Sequence, residues 1–195
     1  MPESPAPVVG VLALQGDVRE HLRMVTAAGG IGREVKVPAD LDTIHALIIP
    51  GGESTTIGRL ARLYGMIEPL RKHIRAGLPT FGTCAGMIFL ASGVTEGAQP
   101  QLGVLDMVVE RNAFGRQNES FECDLAVEGW EETIHAVFIR APIVSSTGPD
   151  VEVMARHDSR PVLVRDGDIL ASSFHPELTG DLRLHRMLLA MADKP

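Results

Sequence analysis

The feature that most limits how this chain can fold is the run Val8-Val9-Gly10-Val11-Leu12-Ala13-Leu14, which is apolar at every position over the length of one strand. A strand of that kind has two faces to bury, and a parallel sheet covered on both sides by helices buries both. Asp17 follows, and then Val18, Leu22 and Val25 at helical spacing predict a helix. Gly29-Gly30 breaks that helix, a short strand is expected near Arg33 to Val37, and a second fully apolar run, Ala46 to Ile49, ends at Pro50-Gly51-Gly52. Ile57, Leu60, Ala61 and Tyr64 form one amphipathic stripe, and Ile67, Leu70 and Ile74 form another. Pro79 to Thr83 reads as a strand leading into an apolar helix from about Ala85 to Ala91. Strands alternating with helices imply right-handed crossovers. The expected class is therefore α/β: three layers, with a mostly parallel central sheet and helices on both faces.

The second half changes character. Phe121, Cys123 and Leu125 alternate with Glu122 and Asp124, the pattern of a strand with one wet face, so antiparallel additions are expected there. Arg165-Asp166-Gly167-Asp168 lies between Pro161 to Val164 and Ile169 to Ser173, and Asp-Gly between two short apolar runs predicts a hairpin. Leu184, Met187, Leu188 and Met191 close the chain with a helix. No repeat or linker divides the sequence, and one domain over residues 1–195 is expected.

Charge and composition narrow the function classes. With 18 Lys and Arg against 25 Asp and Glu the net charge is −7, and the basic residues are not concentrated anywhere, which argues against a nucleic-acid groove. No apolar stretch approaches the ~20 residues that span a bilayer, so no membrane partner is expected. Met1-Pro2-Glu3-Ser4-Pro5 lacks the positive charge and apolar run of a signal peptide, so a cytoplasmic location is expected. The two cysteines, Cys84 and Cys123, have no companions at metal-ligand spacing, so neither a disulfide framework nor a metal site is indicated.

In an open α/β sheet, ligands bind beyond the carboxyl ends of the strands. Three segments occupy such places: Gly51-Gly52-Glu53-Ser54, Gly82-Thr83-Cys84-Ala85-Gly86 and Phe174-His175-Pro176-Glu177-Leu178. The second has the form G-x-C-x-G between a strand and a helix, a cysteine version of the nucleophile elbow, with Cys84 at the positive end of the helix dipole, where the thiolate is favoured. The bland alternative is a small buried cysteine in a glycine-rich turn. Cys123, on the apolar face of its strand, reads as core. Of the seven histidines, His21, His73 and His185 fall on helices and read as solvated or capping, while His45, His135 and His157 lack an obvious orienting partner. His175 has Glu177 two positions on, and in an extended segment those side chains point the same way, so the carboxylate can fix the imidazole tautomer. An ordinary surface turn is the competing reading. Gly51-Gly52 lets backbone amides approach a ligand, Ser54 or Thr55 can cap the next helix, and an amide here with that of Ala85 can pair as an oxyanion hole. The lysine of a phosphate-binding loop is missing from this stretch.

With these sites in place the sequence resembles the class I (triad) glutamine amidotransferases, and within them the glutaminase subunits of pyridoxal 5′-phosphate synthase. The motifs are Val11-Leu12-Ala13-Leu14-Gln15-Gly16, Pro50-Gly51-Gly52-Glu53-Ser54-Thr55-Thr56, Gly82-Thr83-Cys84-Ala85-Gly86-Met87, Arg111-Asn112-Ala113-Phe114-Gly115-Arg116-Gln117, Phe138-Ile139-Arg140-Ala141-Pro142 and Phe174-His175-Pro176-Glu177-Leu178-Thr179. The resemblance implies Cys84 as nucleophile, His175 as base and Glu177 as its partner. It also implies that Gly52, Glu53, Ser54, Arg111, Ile139 and Arg140 contact L-glutamine. Gln15 is placed by the same analogy near the oxyanion site or a partner surface. No cofactor is implied: pyridoxal 5′-phosphate is the product of the complex. The implied partner is a synthase subunit of (β/α)₈ fold, in a large complex of equal subunit numbers.

Three alternatives stay open at this level. The chain can serve a different class I amidotransferase. It can be a non-catalytic relative that binds or senses redox state. It can also be a hydrolase of the dienelactone type, although there the acid precedes the histidine in the chain.

Overall fold

The computed structural model describes residues 5–111 and 120–193. The motif residues Asn112 to Gln117 and the first four residues lie outside the described residues.

The apolar run predicted first forms β1 (Val8–Leu12), and α1 (Val18–Ala28) and β2 (Ile31–Val35) follow. The latter lies two residues before the expected position. It is an edge strand with a single buried side chain, Val35, and Pro38 opens a 3₁₀ turn, Pro38–Thr43, where the strand was expected to end. The next elements are β3 (Ala46–Ile49), α2 (Ser54–Leu63), α3 (Ile67–Arg75), β4 (Thr80–Thr83) and α4 (Ala85–Leu90). The second half contains β5 (Ala91–Val94), β6 (Leu105–Glu110), β7 (Ser120–Leu125), β8 (Ile134–Ile139) and β9 (Ile143–Thr147). It ends with β10 (Glu152–His157), β11 (Arg160–Asp166), β12 (Ile169–Ser172) and α5 (Arg183–Ala192).

The central sheet has the order β10-β11-β12-β4-β3-β1-β2. The five strands from β12 to β2 run parallel, while β11 is antiparallel to both its neighbours. The predicted hairpin joins β11 to β12 through Gly167-Asp168. Other antiparallel pairs are β7 with β8 and β6 with β9, as the alternating pattern suggested, whereas β5 pairs with β6 in parallel.

Alternate residues of the parallel strands feed two different cores, which is why these strands read as continuously apolar. Val9, Val11, Ala46 and Ile48 pack with α1, α5 and the β7–β8 ribbon on one face. Leu12, Leu47 and Ile49 pack with α2, α3, α4 and β6 on the other. Leu47, Ile48 and Ile49 are fully buried, each contributing about 1.5–3 kcal/mol. The sheet order also brings the carboxyl ends of β12, β4, β3 and β1 side by side, so four segments distant in the chain meet along one edge.

Candidate active site

Cys84 lies between β4 and α4 in a left-handed conformation, with φ 47° and ψ −102°. A non-glycine residue rarely adopts that geometry and holds it only when its surroundings enforce it. Its amide donates to the Ser172 carbonyl of β12 at 2.7 Å, and its carbonyl accepts the Ile88 amide at 3.2 Å, the first bond of the helix. The small residue that the elbow pattern demands is Gly86, because a Cβ there would fall on the carbonyl oxygen of Ile49 in β3. The turn thus packs directly on the sheet and leaves the Cys84 sulfur facing a cleft, 3.8 Å from the Ile139 carbonyl oxygen.

His175 follows β12, and its amide is held by the Val137 carbonyl at 2.8 Å. Its Nδ1 meets Glu177 Oε1 at 2.7 Å, and both side chains are buried. The contact agrees with the spacing argument, but its cause differs. Pro176–Leu178 is a 3₁₀ turn rather than an extended segment, and proline at its first position presets the backbone. Nδ1 is thus occupied, and the ring also interacts with the Cys84 side chain. Gly51 is fitted against this ring, since a Cβ there would overlap His175 Cε1.

A further carboxylate at this site was not foreseen. Asp17 is the N-cap of α1, yet its side chain makes no capping bond; Oδ2 instead lies 3.4 Å from His175 Nδ1. An aspartate at that position ordinarily caps its helix for about 1 kcal/mol, so its turn toward the imidazole marks it as part of the site. The signal in the sequence was a carboxylate just beyond the carboxyl end of a buried strand. Burial alone pushes His175 toward neutrality, but hydrogen bonds to Asp17, Cys84 and Glu177 outweigh it and raise the group to about 12. The imidazole is therefore held as its cation. Glu177 is itself pushed up by burial and pulled down by His175. The ligand atoms of Asp17, His175 and Glu177 all lie within 4.8 Å of one another, the set among the described residues that could gather around a cation. Here they hold the imidazole proton, which a metal ion would have to displace.

The cleft has a volume of about 260 Å³ and is lined by residues that include Gly52, Glu53, Ser54, Ala85, Ile88, Arg111, Ile139 and Arg140. All six residues implied to contact glutamine therefore share one cleft with Cys84 and His175. Arg140, like Cys84, is held at positive φ, 47°. Gly51 and Gln15 are not among the lining residues. Gln15 Oε1 accepts the Glu53 amide at 2.8 Å, and the Gly51 carbonyl accepts the Asp17 amide at 3.0 Å, so both brace the loop from behind. The helix cap also differs from expectation. Glu53, rather than Ser54 or Thr55, caps α2 by accepting the Thr55 and Thr56 amides at 3.1 and 2.8 Å, because the helix begins at Ser54 and leaves Glu53 in the N-cap position. Ser54 instead donates to Gln99 Oε1 at 3.1 Å.

The sequence profile of the SNO glutamine amidotransferase family matches residues 11–194, which include every residue of this cleft. The chain belongs to the SNO glutamine amidotransferase family. Among its relatives, the pyridoxal 5′-phosphate synthase subunit PdxT of a Parafrankia species is 58% identical over 187 residues, covering 94% of this chain and 92% of the relative. The subunit of the same name from Streptomyces avermitilis is 55% identical and covers 95% of this chain and 94% of its own. A crystal structure described as a glutamine amidotransferase superposes with a TM-score of 0.90 at 57% identity, covering 94% of this chain and 98% of that one. A GMP synthase subunit from Thermoplasma acidophilum, 15% identical, superposes with a TM-score of 0.71 over 97% of this chain and 96% of its own, which speaks for the shared fold.

Within this SNO-family chain, several side chains outside the cleft correct the sequence reading. His21 and His185 are not solvated: they are 0% and 1% exposed, and joined by a 3.0 Å hydrogen bond between α1 and α5. Their helices present these positions to the sheet, a fact that helical spacing alone left open. His135 does have orienting partners, Asp124 at 2.9 Å and Glu122 at 3.0 Å on the neighbouring strand β7. Cys123 is half-buried rather than core, its sulfur 3.6 Å from His157 Nδ1, because the β7–β8 ribbon leaves its outer end open. Burial, then the charges of Asp124 and Asp158, push its thiol up, which suits an unreactive cysteine.

The Glu53 cap makes a pH prediction. Burial opposes ionisation, but the Thr55 and Thr56 hydroxyls and amides outweigh it and lower the carboxyl from 4.5 to about 2. A depressed folded-state value stabilises above the unfolded one, so the contribution is complete above pH 4.5 and is lost as pH falls toward 2. Urea unfolding of Glu53→Gln against the parent should show a deficit of about 1 kcal/mol at neutral pH that closes on acidification. A deficit independent of pH would remove the carboxylate cap from the account.

Proposed function

We infer that this chain is the glutaminase subunit of a pyridoxal 5′-phosphate synthase, hydrolysing L-glutamine to L-glutamate and ammonia. The observation that carries the reading is the meeting of Cys84 and His175, the latter backed by buried Glu177, in a cleft walled by Arg111 and Arg140. Two arginines offer bidentate hydrogen bonds to an amino-acid carboxylate, and Glu53 with the Ile139 carbonyl suits its ammonium.

In this mechanism the Cys84 thiolate attacks the side-chain amide carbon, and the backbone amides of Gly52 and Ala85 stabilise the oxyanion. His175 gives its proton to the departing nitrogen, which leaves as ammonia, and a thioester remains. Deprotonated His175 then takes a proton from water, whose oxygen attacks the thioester; collapse returns the proton to the Cys84 sulfur and releases glutamate. Glu177 keeps Nδ1 protonated and Nε2 free for both steps. Gln15 and Gly51 serve as braces of the oxyanion loop.

The relatives are named as subunits of pyridoxal 5′-phosphate synthase, and in our reading the ammonia passes to a synthase subunit. Our reading gives that partner a (β/α)₈ fold and equal numbers in a large complex. It assigns this chain no cofactor of its own, and it places it in the cytoplasm, where both free thiols stay reduced. No described helix is long and apolar enough to cross a membrane.

The test pairs the chain with a synthase subunit. Product formation should require this chain when glutamine is the nitrogen source and dispense with it when an ammonium salt is supplied. Equal dependence on the chain under both conditions would contradict the assignment.

A further inference from the structure

The mechanism uses one oxygen of Glu177 and leaves the other unexplained. Oε1 holds the His175 Nδ1 proton at 2.7 Å, while Oε2 is buried and makes no hydrogen bond among the described residues. Facing it at 3.5 Å is Nε2 of His21, on α1, and both side chains are completely inaccessible to solvent. His21 Nε2 also lies 3.1 Å from Thr83 Oγ1, at the end of β4 just before Cys84, and His21 Nδ1 lies 3.0 Å from His185 Nε2 on α5. Three elements thus converge behind the triad on a histidine that the reaction does not touch.

Hydrogen-bond accounting selects the protonation of this set. If His21 carried its proton on Nδ1, that proton would go to His185 Nε2. His185 would then carry its own on Nδ1, a buried atom with no partner among the described residues. A buried N–H without an acceptor bears the full desolvation cost, and the lone pair of His21 Nε2 would face a carboxylate oxygen. The opposite arrangement avoids both penalties. His185 Nε2–H donates to His21 Nδ1, and His21 Nε2–H points between Thr83 Oγ1 and Glu177 Oε2. Only an acceptor lone pair, on His185 Nδ1, stays unused. Burial keeps both rings neutral, driving His21 well down and His185 to about 4.

We propose that His21 is a positioning residue of the glutaminase site: its Nε2–H supports the outer oxygen of Glu177, and His185 fixes the tautomer that allows it. The proposal rests on the glutaminase reading above. Glu177 is faced by His175, by His21 and by the charge of Asp17, and of these Asp17 favours protonation of the carboxyl. With an apolar side chain at position 21, the buried carboxyl takes up a proton at higher pH. It then no longer holds His175 as a cation.

The experiment follows glutamate release as a function of pH, using the chain in complex with its synthase partner. His21→Met should lower kcat roughly tenfold with little change in KM, the usual scale for a group that orients an active-site ligand. It should also move the acidic limb of the kcat profile to higher pH. His21→Gln, whose amide N–H reaches the same region, should bring that limb back. A folded His21→Met complex with the parent's kcat and acidic limb would overturn the proposal. If His21→Met does not fold, nitrogen NMR of ¹⁵N-histidine in the parent chain decides. A neutral Nε2–H tautomer at His21 supports the proposal; an Nδ1–H tautomer or an imidazolium refutes it. Because the spectrum does not depend on turnover, a chain that releases no glutamate at all would count against the glutaminase reading separately.

Discussion

Replacing Cys84 with alanine is expected to lower glutamate release by the assembled complex roughly 10⁴-fold or more, since it removes the sulfur on which the thioester forms. The fold should survive. Alanine meets the same cost as cysteine at φ 47°, and the change removes one sulfur atom from a site that opens onto a cleft. Glutamine should still bind, because Arg111, Arg140 and Glu53 remain in the wall. Calorimetric titration with glutamine, beside a glutamate-release assay, separates the two effects. Undiminished release would end the thioester mechanism; loss of binding together with loss of release would show that the substitution had damaged the cleft instead.

The second large effect is expected at Gly86, where a Cβ would meet the Ile49 carbonyl oxygen. That oxygen belongs to a central strand paired on both sides, so it cannot yield as a flexible side chain would. Gly86→Ala should therefore push α4 off the sheet, costing about 3 kcal/mol, at the upper end of the range for overpacking. In a chain of this length that corresponds to a fall in Tm of roughly 6–12 °C. Turnover should fall too, because the same displacement moves Cys84 and the Ala85 amide. Gly93→Ala is the control: its Cβ would find only Val108, at 3.6 Å. Thermal unfolding of both variants checks the claim. Equal, small losses would mean that the elbow tolerates a larger residue and that its shape is not set by this contact.

Asp17 shows why part of the site was hidden. Its neighbours Gln15 and Gly16 announced a turn after a buried strand, and a turn aspartate is ordinarily a helix cap. Nothing local distinguishes a cap from a carboxylate aimed at an imidazole more than 150 residues away. His21 was hidden in the same way. Helical periodicity places it on a helix, but the apolar residues around it do not reveal that α5 brings a second histidine against it. Cys123 failed in the opposite sense, because an alternating strand tells which residues share a face without telling how far the covering layer extends.

What the sequence settled alone follows from interactions within a few residues: the fully apolar strand runs, the amphipathic helices, the Asp-Gly hairpin, the glycines around Cys84 and the proline-stiffened His175 with its glutamate. Period and turn chemistry act over that range, so they are written in the letters. The tertiary structure decided the rest. The order β12-β4-β3-β1 is not the order of the chain, and it alone brings His175, Cys84, Gly52 and Asp17 to one edge. Strand pairing and burial are set by contacts between distant segments, and those contacts turn a surface aspartate and two helical histidines into the surroundings of a single buried carboxylate.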